Sequence, residues 1–381
     1  MKIGILTYHR ARNYGAFLQA YGLCRRLNEE PDIDAEIIDF HMHKEINFYS
    51  HKPDKKLAWL RQLKWRLKNF NIFLYEKKMQ KAFDVSYARM PLSSEYKCSD
   101  SIEDFQEFVK DKYDIIIAGS DEIWKTDAYR GFPSPYWLPG DLGCIKMSYA
   151  ASCRSDLSRS NGQEIREINR LLNDFSSISV RDEMTRNHFN KYLSLKTTVV
   201  KSSDPSIIYD YKPDAARGRE ILKKKAGIDK DKKISVTMLG RKNEEVAECI
   251  KRELSDQYEM VAVFEWHKGF INIPDLTPFE WLDVIACADL VCASFFHAIC
   301  FSIICRVPFL AFNIDNKGSK LKDVLEDSGN MDRLIEEDQL SESGFLRKKA
   351  SEYSYPCSSD EYVAESRLQF EEYLSALRRL V

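Results

Sequence analysis

The sequence predicts an α/β protein with doubly wound, mostly parallel sheets. Short runs rich in Ile and Val alternate with longer segments of helical period, the pattern left by parallel strands joined through crossover helices. The runs fall into two series, separated by a passage rich in Pro, Gly and charge. At 381 residues the chain also exceeds what one hydrophobic core usually organises, so two domains are expected.

The first series places strands at 2–7, 35–39, 114–118, 146–150, 176–180 and 197–200, within an N-terminal α/β domain spanning 1–210. The passage 211–233 reads as a linker. A second series at 234–239, 260–264, 290–293 and 308–312 builds a C-terminal α/β domain over 234–350. The last segment, 351–381, is helical in pattern, with Val363, Leu368, Phe370, Tyr373, Leu374 and Leu377 as its apolar positions, and suits packing across either domain.

A helical insertion at about 51–90 stands apart. Between 51 and 81, ten Lys/Arg face only Asp54 and Glu76, and Trp59, Leu63, Trp65, Phe70, Phe73 and Leu74 recur among them at roughly helical spacing. Two readings stay open: a crossover helix with its apolar stripe in the core, which is favoured, or a basic amphipathic helix resting on an anionic membrane through residues 55–81.

Globally, 57 Lys+Arg against 59 Asp+Glu gives no basic excess, and nucleic acid is not an expected partner. The apolar run at 1–7 meets His9, Arg10 and Arg12 at once, which reads as a buried strand rather than a signal peptide. The region 299–312 is broken by Arg306 and Pro308, and no stretch is long enough to cross a bilayer. Ten cysteines are scattered without a CxxC pair, and most of them read as reduced, buried small hydrophobes, with no metal site. A cytoplasmic protein is expected.

In open α/β sheets ligands bind outside the carboxyl ends of the strands, so the residues there are the candidates. After the first strand, Asn13 is placed to cap a helix, and Gly15 permits close backbone approach to a ligand; an ordinary capped turn would use the same residues. After 114–118, Ser120 and Asp121 offer a hydroxyl and a carboxylate suited to sugar hydroxyls, or a plain helix cap. Arg181 presents a planar fork suited to a carboxylate or phosphate, or a salt bridge to Asp182. His297 falls in the first turn of an apolar helix, where free N–H groups favour an anion; a satisfied core histidine is the alternative. Lys317 and Lys320 beside Gly318 suit a phosphate or a solvated turn.

In this order, the stretches GILTYHRARNYGAFLQAYGL, IIAGSDEIW, KMSYAAS, SVRDE, Asp204-Pro205, and ADLVCASFFHAICFSIICRVPFLAF with KGSK behind it resemble the polysaccharide pyruvyl transferase family, from Met1 to about Leu334. That family is similar in architecture to GT-B glycosyltransferases, which implies two Rossmann-like domains facing across a cleft. The resemblance implies transfer of the enolpyruvyl group of phosphoenolpyruvate to two hydroxyls of one sugar as a cyclic ketal, with no cofactor beyond that donor substrate. The implied acceptor belongs to a bacterial surface polysaccharide, capsule or exopolysaccharide, or to its lipid-linked precursor at the inner face of the cytoplasmic membrane.

Carried over residue by residue, the resemblance makes His297 and Arg181 the catalytic pair. Arg181, His297, Ser294, Lys317 and Lys320 would bind the donor, and Asn13, Tyr14, Gly15, Ser120 and Asp121 would face the acceptor. Two positions depart from the family's usual pattern: Ala298 stands where Gly follows the histidine, and Glu122 where Gln follows GSD. Two alternatives accompany this reading, a GT-B glycosyltransferase using a nucleotide sugar and a catalytically silent partner in glycan assembly.

Overall fold

The computed structural model describes residues 1–45, 70–126, 129, 131–314 and 318–381. The N-terminal half contributes β1 (Lys2–Leu6), β2 (Asp34–Ile37), β3 (Phe40–His41), β4 (Lys97–Cys98), β5 (Ile115–Ala118), β6 (Ile145–Ser148), β7 (Ile178–Val180) and β8 (Val199–Lys201). Four of these pair in parallel in the order β2-β1-β5-β6, while β7 and β8 form a parallel ribbon. The Ser148 N–H donates to the Ser177 carbonyl at 3.1 Å and the Ala151 N–H to the Ser179 carbonyl at 3.2 Å, which joins β6 to β7 and extends the layer. Every residue of β5 is buried, as expected for a parallel strand covered on both faces.

The C-terminal half contributes β9 (Ile234–Met238), β10 (Glu259–Ala262), β11 (Ile271–Asn272), β12 (Leu290–Ala293), β13 (Phe309–Asn313) and β14 (Leu334–Glu336). They form one parallel sheet in the order β11-β10-β9-β12-β13-β14, the doubly wound order that reverses between β9 and β12. A reversal opens a crevice at the strand ends. In this half it lies where β12 runs into residues 294–297, and in the N-terminal half where β5 runs into residues 119–122.

Each expected strand forms within about two residues of its predicted bounds. The strands not foreseen, β3, β4, β11 and β14, span two or three residues each, too short for periodicity to register. The passage 211–233 contains the helix Ala215–Ala226, which packs on the helix Pro278–Ala286. Gly218 allows that contact: a Cβ there would stand 2.1 Å from the Asp283 carbonyl oxygen. Only Gly218, Ile221 and Leu222 of this helix are buried, so its lysine-rich sequence looks like a solvated connection.

The final helix, Cys357–Arg378, crosses back to the N-terminal half, where Phe370 and Tyr373 pack edge-on against Tyr149 at 5.1 and 4.9 Å. Leu368, expected on its apolar stripe, faces outward instead. Within the basic insertion, residues 46–69 lie outside the described residues. The helix Phe70–Ser86 buries Tyr75, Met79, Ala82 and Phe83 in the core, whereas Phe70 and Leu74 of the expected stripe are exposed together with Lys77, Lys78 and Lys81. No described helix is long and apolar enough to cross a membrane. All ten cysteines are free thiols, and no described group of three acidic, His or Cys side chains could hold a metal ion.

Candidate active site

The two halves meet at His297, the second residue of the helix Phe296–Ile304, which starts at the carboxyl end of β12. No side chain caps this helix. The imidazole is pressed against the first turn of the helix Tyr14–Leu27, where a Cβ on Gly15 would lie 2.2 Å from Cβ and Cγ of His297. Glycine is required at position 15 because a histidine from the other half fills the space.

His297 Nε2 stands 3.6 Å from Asp204 Oδ2 and has no hydrogen-bond partner among the described residues. That separation allows charge attraction without a formed hydrogen bond. Asp204, almost wholly buried, is the hub of the cluster. Its Oδ2 accepts from Ser120 Oγ at 2.8 Å and from Arg181 Nη1 at 2.9 Å, and its Oδ1 accepts from the N–H and Oγ of Ser206 at 2.9 and 2.7 Å. Burial alone would raise the Asp204 carboxyl, but the His297 ring and the Arg181 guanidinium reverse this and hold it well below the usual carboxylate range.

Arg181 leaves β7 with its guanidinium over the Phe296 ring, 4.6 Å from the centroid, and its Nη2 3.8 Å from Asp121 Oδ1. Burial opposes the charge, yet Asp204 and Asp121 outweigh it and keep Arg181 firmly protonated. Asp121 itself has a positive φ of 84°, uncommon for a non-glycine residue and of the kind that gathers at functional sites. Next to it, Glu122 pairs with Lys320 from the C-terminal half and lies 3.6 Å from Arg154 Nε. Burial works against the Glu122 carboxylate, but Lys320 and Arg154 win and bring its pKa down to about 2.

This cluster borders a cavity of about 420 Å3. The N-terminal half lines it with Arg181, Asp182 and Asp204, the C-terminal half with Phe296, Lys320 and Asp323, and the final helix with Glu365 and Gln369.

The sequence-predicted site residues divide accordingly. Arg181, His297, Lys320 and Asp121 come together at the cavity or its border. Ser294 is half-buried at the end of β12, its N–H bonded to the Met238 carbonyl at 3.2 Å. Lys317 lies outside the described residues. Asn13 takes its expected capping place, and three other acceptor-side expectations, Tyr14, Gly15 and Ser120, are corrected. Asn13 caps the helix Tyr14–Leu27, its Oδ1 accepting from the N–H groups of Gly15 and Ala16. Tyr14 is fully buried, stacked between Phe83 and Trp281 with centroids at 5.2 Å on either side, out of reach of any sugar. Gly15 admits His297 rather than a ligand. Ser120 is fully buried and spends its hydroxyl on Asp204.

Asp204 was not singled out as a site residue, although its signal was available. An Asp followed by Pro just after a strand is a helix start, and Asp204 does cap the short helix Pro205–Ile208. On the sequence Asp182 reads only as a salt-bridge partner of Arg181; it caps the helix Glu183–Tyr192 through Oδ1, while its Oδ2 has no partner among the described residues.

The polysaccharide pyruvyl transferase family model matches residues 13–316. A search of curated proteins finds no match. Among solved structures, the chain is similar to a UDP-GlcNAc 2-epimerase from Methanocaldococcus jannaschii, with a TM-score of 0.54 and 13% identity over 93% of this chain and 94% of that one. It is also similar to S. aureus MnaA solved with UDP, with a TM-score of 0.52 and 11% identity over 98% and 97% of the two chains. At these identities the likeness shows the fold, a GT-B arrangement of two α/β halves. The chain belongs to the polysaccharide pyruvyl transferase family of enzymes.

Proposed function

We propose that this enzyme transfers the enolpyruvyl group of phosphoenolpyruvate to two hydroxyls of one sugar unit, forming a cyclic ketal and releasing phosphate. One observation carries the reading: motifs spread over two hundred residues, contributing Asp121 and Glu122, Arg181, Asp204, His297 and Lys320, converge on one inter-half cluster beside one cavity.

The chemistry asks for three things from such a cluster. Cations must hold the donor's carboxylate and phosphate, and Arg181 and Lys320 supply them. A proton must reach the methylene carbon C3, a role this reading assigns to His297, with Asp204 stabilising the imidazolium before transfer. As C3 becomes a methyl group, positive charge develops at C2 and the first sugar hydroxyl adds there. The C2–O bond to phosphate then breaks, the second hydroxyl adds to C2, and the two hydroxyl protons leave to the returning base and the departing phosphate. The acidic groups around the cavity suit the cationic character at C2.

The acceptor belongs, in this reading, to a surface polysaccharide or its lipid-linked precursor. Exposed Lys77, Lys78 and Lys81, with Phe70 and Leu74 on the same helix, support a peripheral contact with the cytoplasmic face of an anionic membrane. Calorimetric titration of phosphoenolpyruvate into the wild type and into His297→Ala, Arg181→Ala and Lys320→Ala tests the donor assignment. Binding by the wild type, weakened in the cation variants, is expected. A folded wild type that does not bind phosphoenolpyruvate would end this reading.

A further inference from the structure

The lining of the 420 Å3 cavity is mixed in charge, and the division is informative. Arg181 and Lys320 are its cations beside Phe296, while Lys201 is neutralised by Asp327 at 2.7 Å. Asp182, Asp323 and Glu365 are a different population. Asp182 is 95% buried, yet its Oδ2 has no hydrogen-bond partner among the described residues. A buried carboxylate oxygen left unpaired is costly, and a ligand that donates hydrogen bonds would relieve it. Asp323 uses one oxygen to accept from the Glu183 N–H at 3.3 Å, and the exposed Glu365 carboxylate forms no hydrogen bond or ion pair with a described residue. Burial, opposed by Lys201 and reinforced by Asp182, pushes the Asp323 carboxyl up to about 6, so it chiefly accepts at neutral pH.

We infer that Asp182, Asp323, Glu365 and Gln369 form the acceptor subsite, binding a polyhydroxylated sugar ring whose hydroxyls donate to these carboxylates and the amide. A second anion is disfavoured there by the carboxylates, whereas a sugar presents several donors on one rigid ring and forms charge-assisted hydrogen bonds with them. The volume falls within the roughly 300–1,000 Å3 typical of small-molecule sites and exceeds what a three-carbon donor needs. The placement also fits the N-terminal loop residues: Tyr14 and Ser120 are fully buried in structural tasks and cannot take part in recognising the acceptor. It gives the final helix, which supplies Glu365 and Gln369, a part in specificity. The assignment rests on the pyruvyl transfer reading.

The test uses the full chain and isosteric variants, Asp323→Asn and Glu365→Gln. Methyl glycosides of galactose, glucose and N-acetylmannosamine are screened by saturation-transfer NMR, and phosphoenolpyruvate is titrated in parallel. At least one glycoside is expected to bind the wild type and to bind each variant about tenfold more weakly, the size of one lost charge-assisted hydrogen bond, while phosphoenolpyruvate affinity changes less than twofold. Glycoside binding unchanged in both variants overturns the assignment, as does a wild type that binds phosphoenolpyruvate but none of the glycosides. A wild type that binds a glycoside through these residues but no phosphoenolpyruvate keeps the subsite and removes the pyruvyl transfer reading instead.

Discussion

Gly15 and His297, from opposite halves of the molecule, are packed so closely that a single methyl group on Gly15 would fall 2.2 Å from the histidine side chain. Two effects compete when Gly15 becomes Ala. Helix propensity favours Ala by about 0.5–1 kcal/mol, and overpacking against a ring costs about 1–3 kcal/mol. The atoms met are Cβ and Cγ of a buried ring, not a flexible chain end, so overpacking wins. Gly15→Ala is expected to lower stability by about 1–2 kcal/mol in urea denaturation and to cut phosphate release from phosphoenolpyruvate at least tenfold, because His297 is pushed away from Asp204.

Glu122 occupies, with its own carboxylate, Lys320, one of the two cations proposed to hold the donor. Glu122→Gln keeps the shape and removes the competing charge. Phosphoenolpyruvate affinity is expected to rise about tenfold, or ~1.4 kcal/mol, in calorimetry. The ordinary value of this carboxyl is 4.5 and the folded value about 2, so its stabilisation is present above pH 4.5 and lost only as pH falls toward 2. The affinity gain should therefore be the same at pH 6 and pH 8; a gain confined to one of them would contradict the assignment.

Arg181 binds Asp204 and lies over Phe296 in a fixed fork geometry that lysine cannot reproduce. Arg181→Lys is expected to destabilise the protein by about 3 kcal/mol, since a buried carboxylate loses a partner, and to weaken phosphoenolpyruvate binding in the same samples. Wild-type-like melting would show that Asp204 does not depend on the guanidinium.

A second buried pair lies away from the cavity. Burial pushes Glu45 up to about 7, with the Tyr136 hydroxyl donating to it at 2.8 Å, and burial lowers His41, 3.4 Å away, to about 4. The raised acid favours folding at low pH and loses that contribution as pH rises from 4.5 through 7. The lowered histidine opposes folding at low pH, and that penalty disappears as pH rises from 4 to 6.5. In the wild type the two slopes offset each other. Glu45→Gln removes one, so the stability of the variant relative to wild type should climb by about 1–3 kcal/mol between pH 4.5 and pH 7 in denaturant titrations. A flat difference would show that Glu45 titrates normally.

Much of the fold was legible because its cause is local. The strands of both sheets are short Ile- and Val-rich runs that must be buried on two faces, and their period and spacing predict parallel sheets without further information. Strand-to-helix junctions are equally local, and they point to Arg181, His297 and Lys320, which lie at the cavity or its border. The helix Ala215–Ala226 was missed because its burial depends on Gly218 meeting the Asp283 backbone, a contact made by the other partner and invisible in its own composition.

By itself the sequence determined the α/β architecture, the two series of strands and the order of the motifs, since these follow from backbone sterics and apolar periodicity along one stretch of chain. Only the tertiary structure decided which motif residues face the cavity. Tyr14 and Ser120 look like ligand contacts in a linear reading, yet one is stacked between Phe83 and Trp281 and the other is consumed by Asp204. Asp204 becomes the hub only when Ser120, Arg181 and His297 arrive around it. The physical reason is that hydrogen bonds, charge and burial act over a few ångströms in space, and those distances exist only after residues far apart in the chain have been brought together.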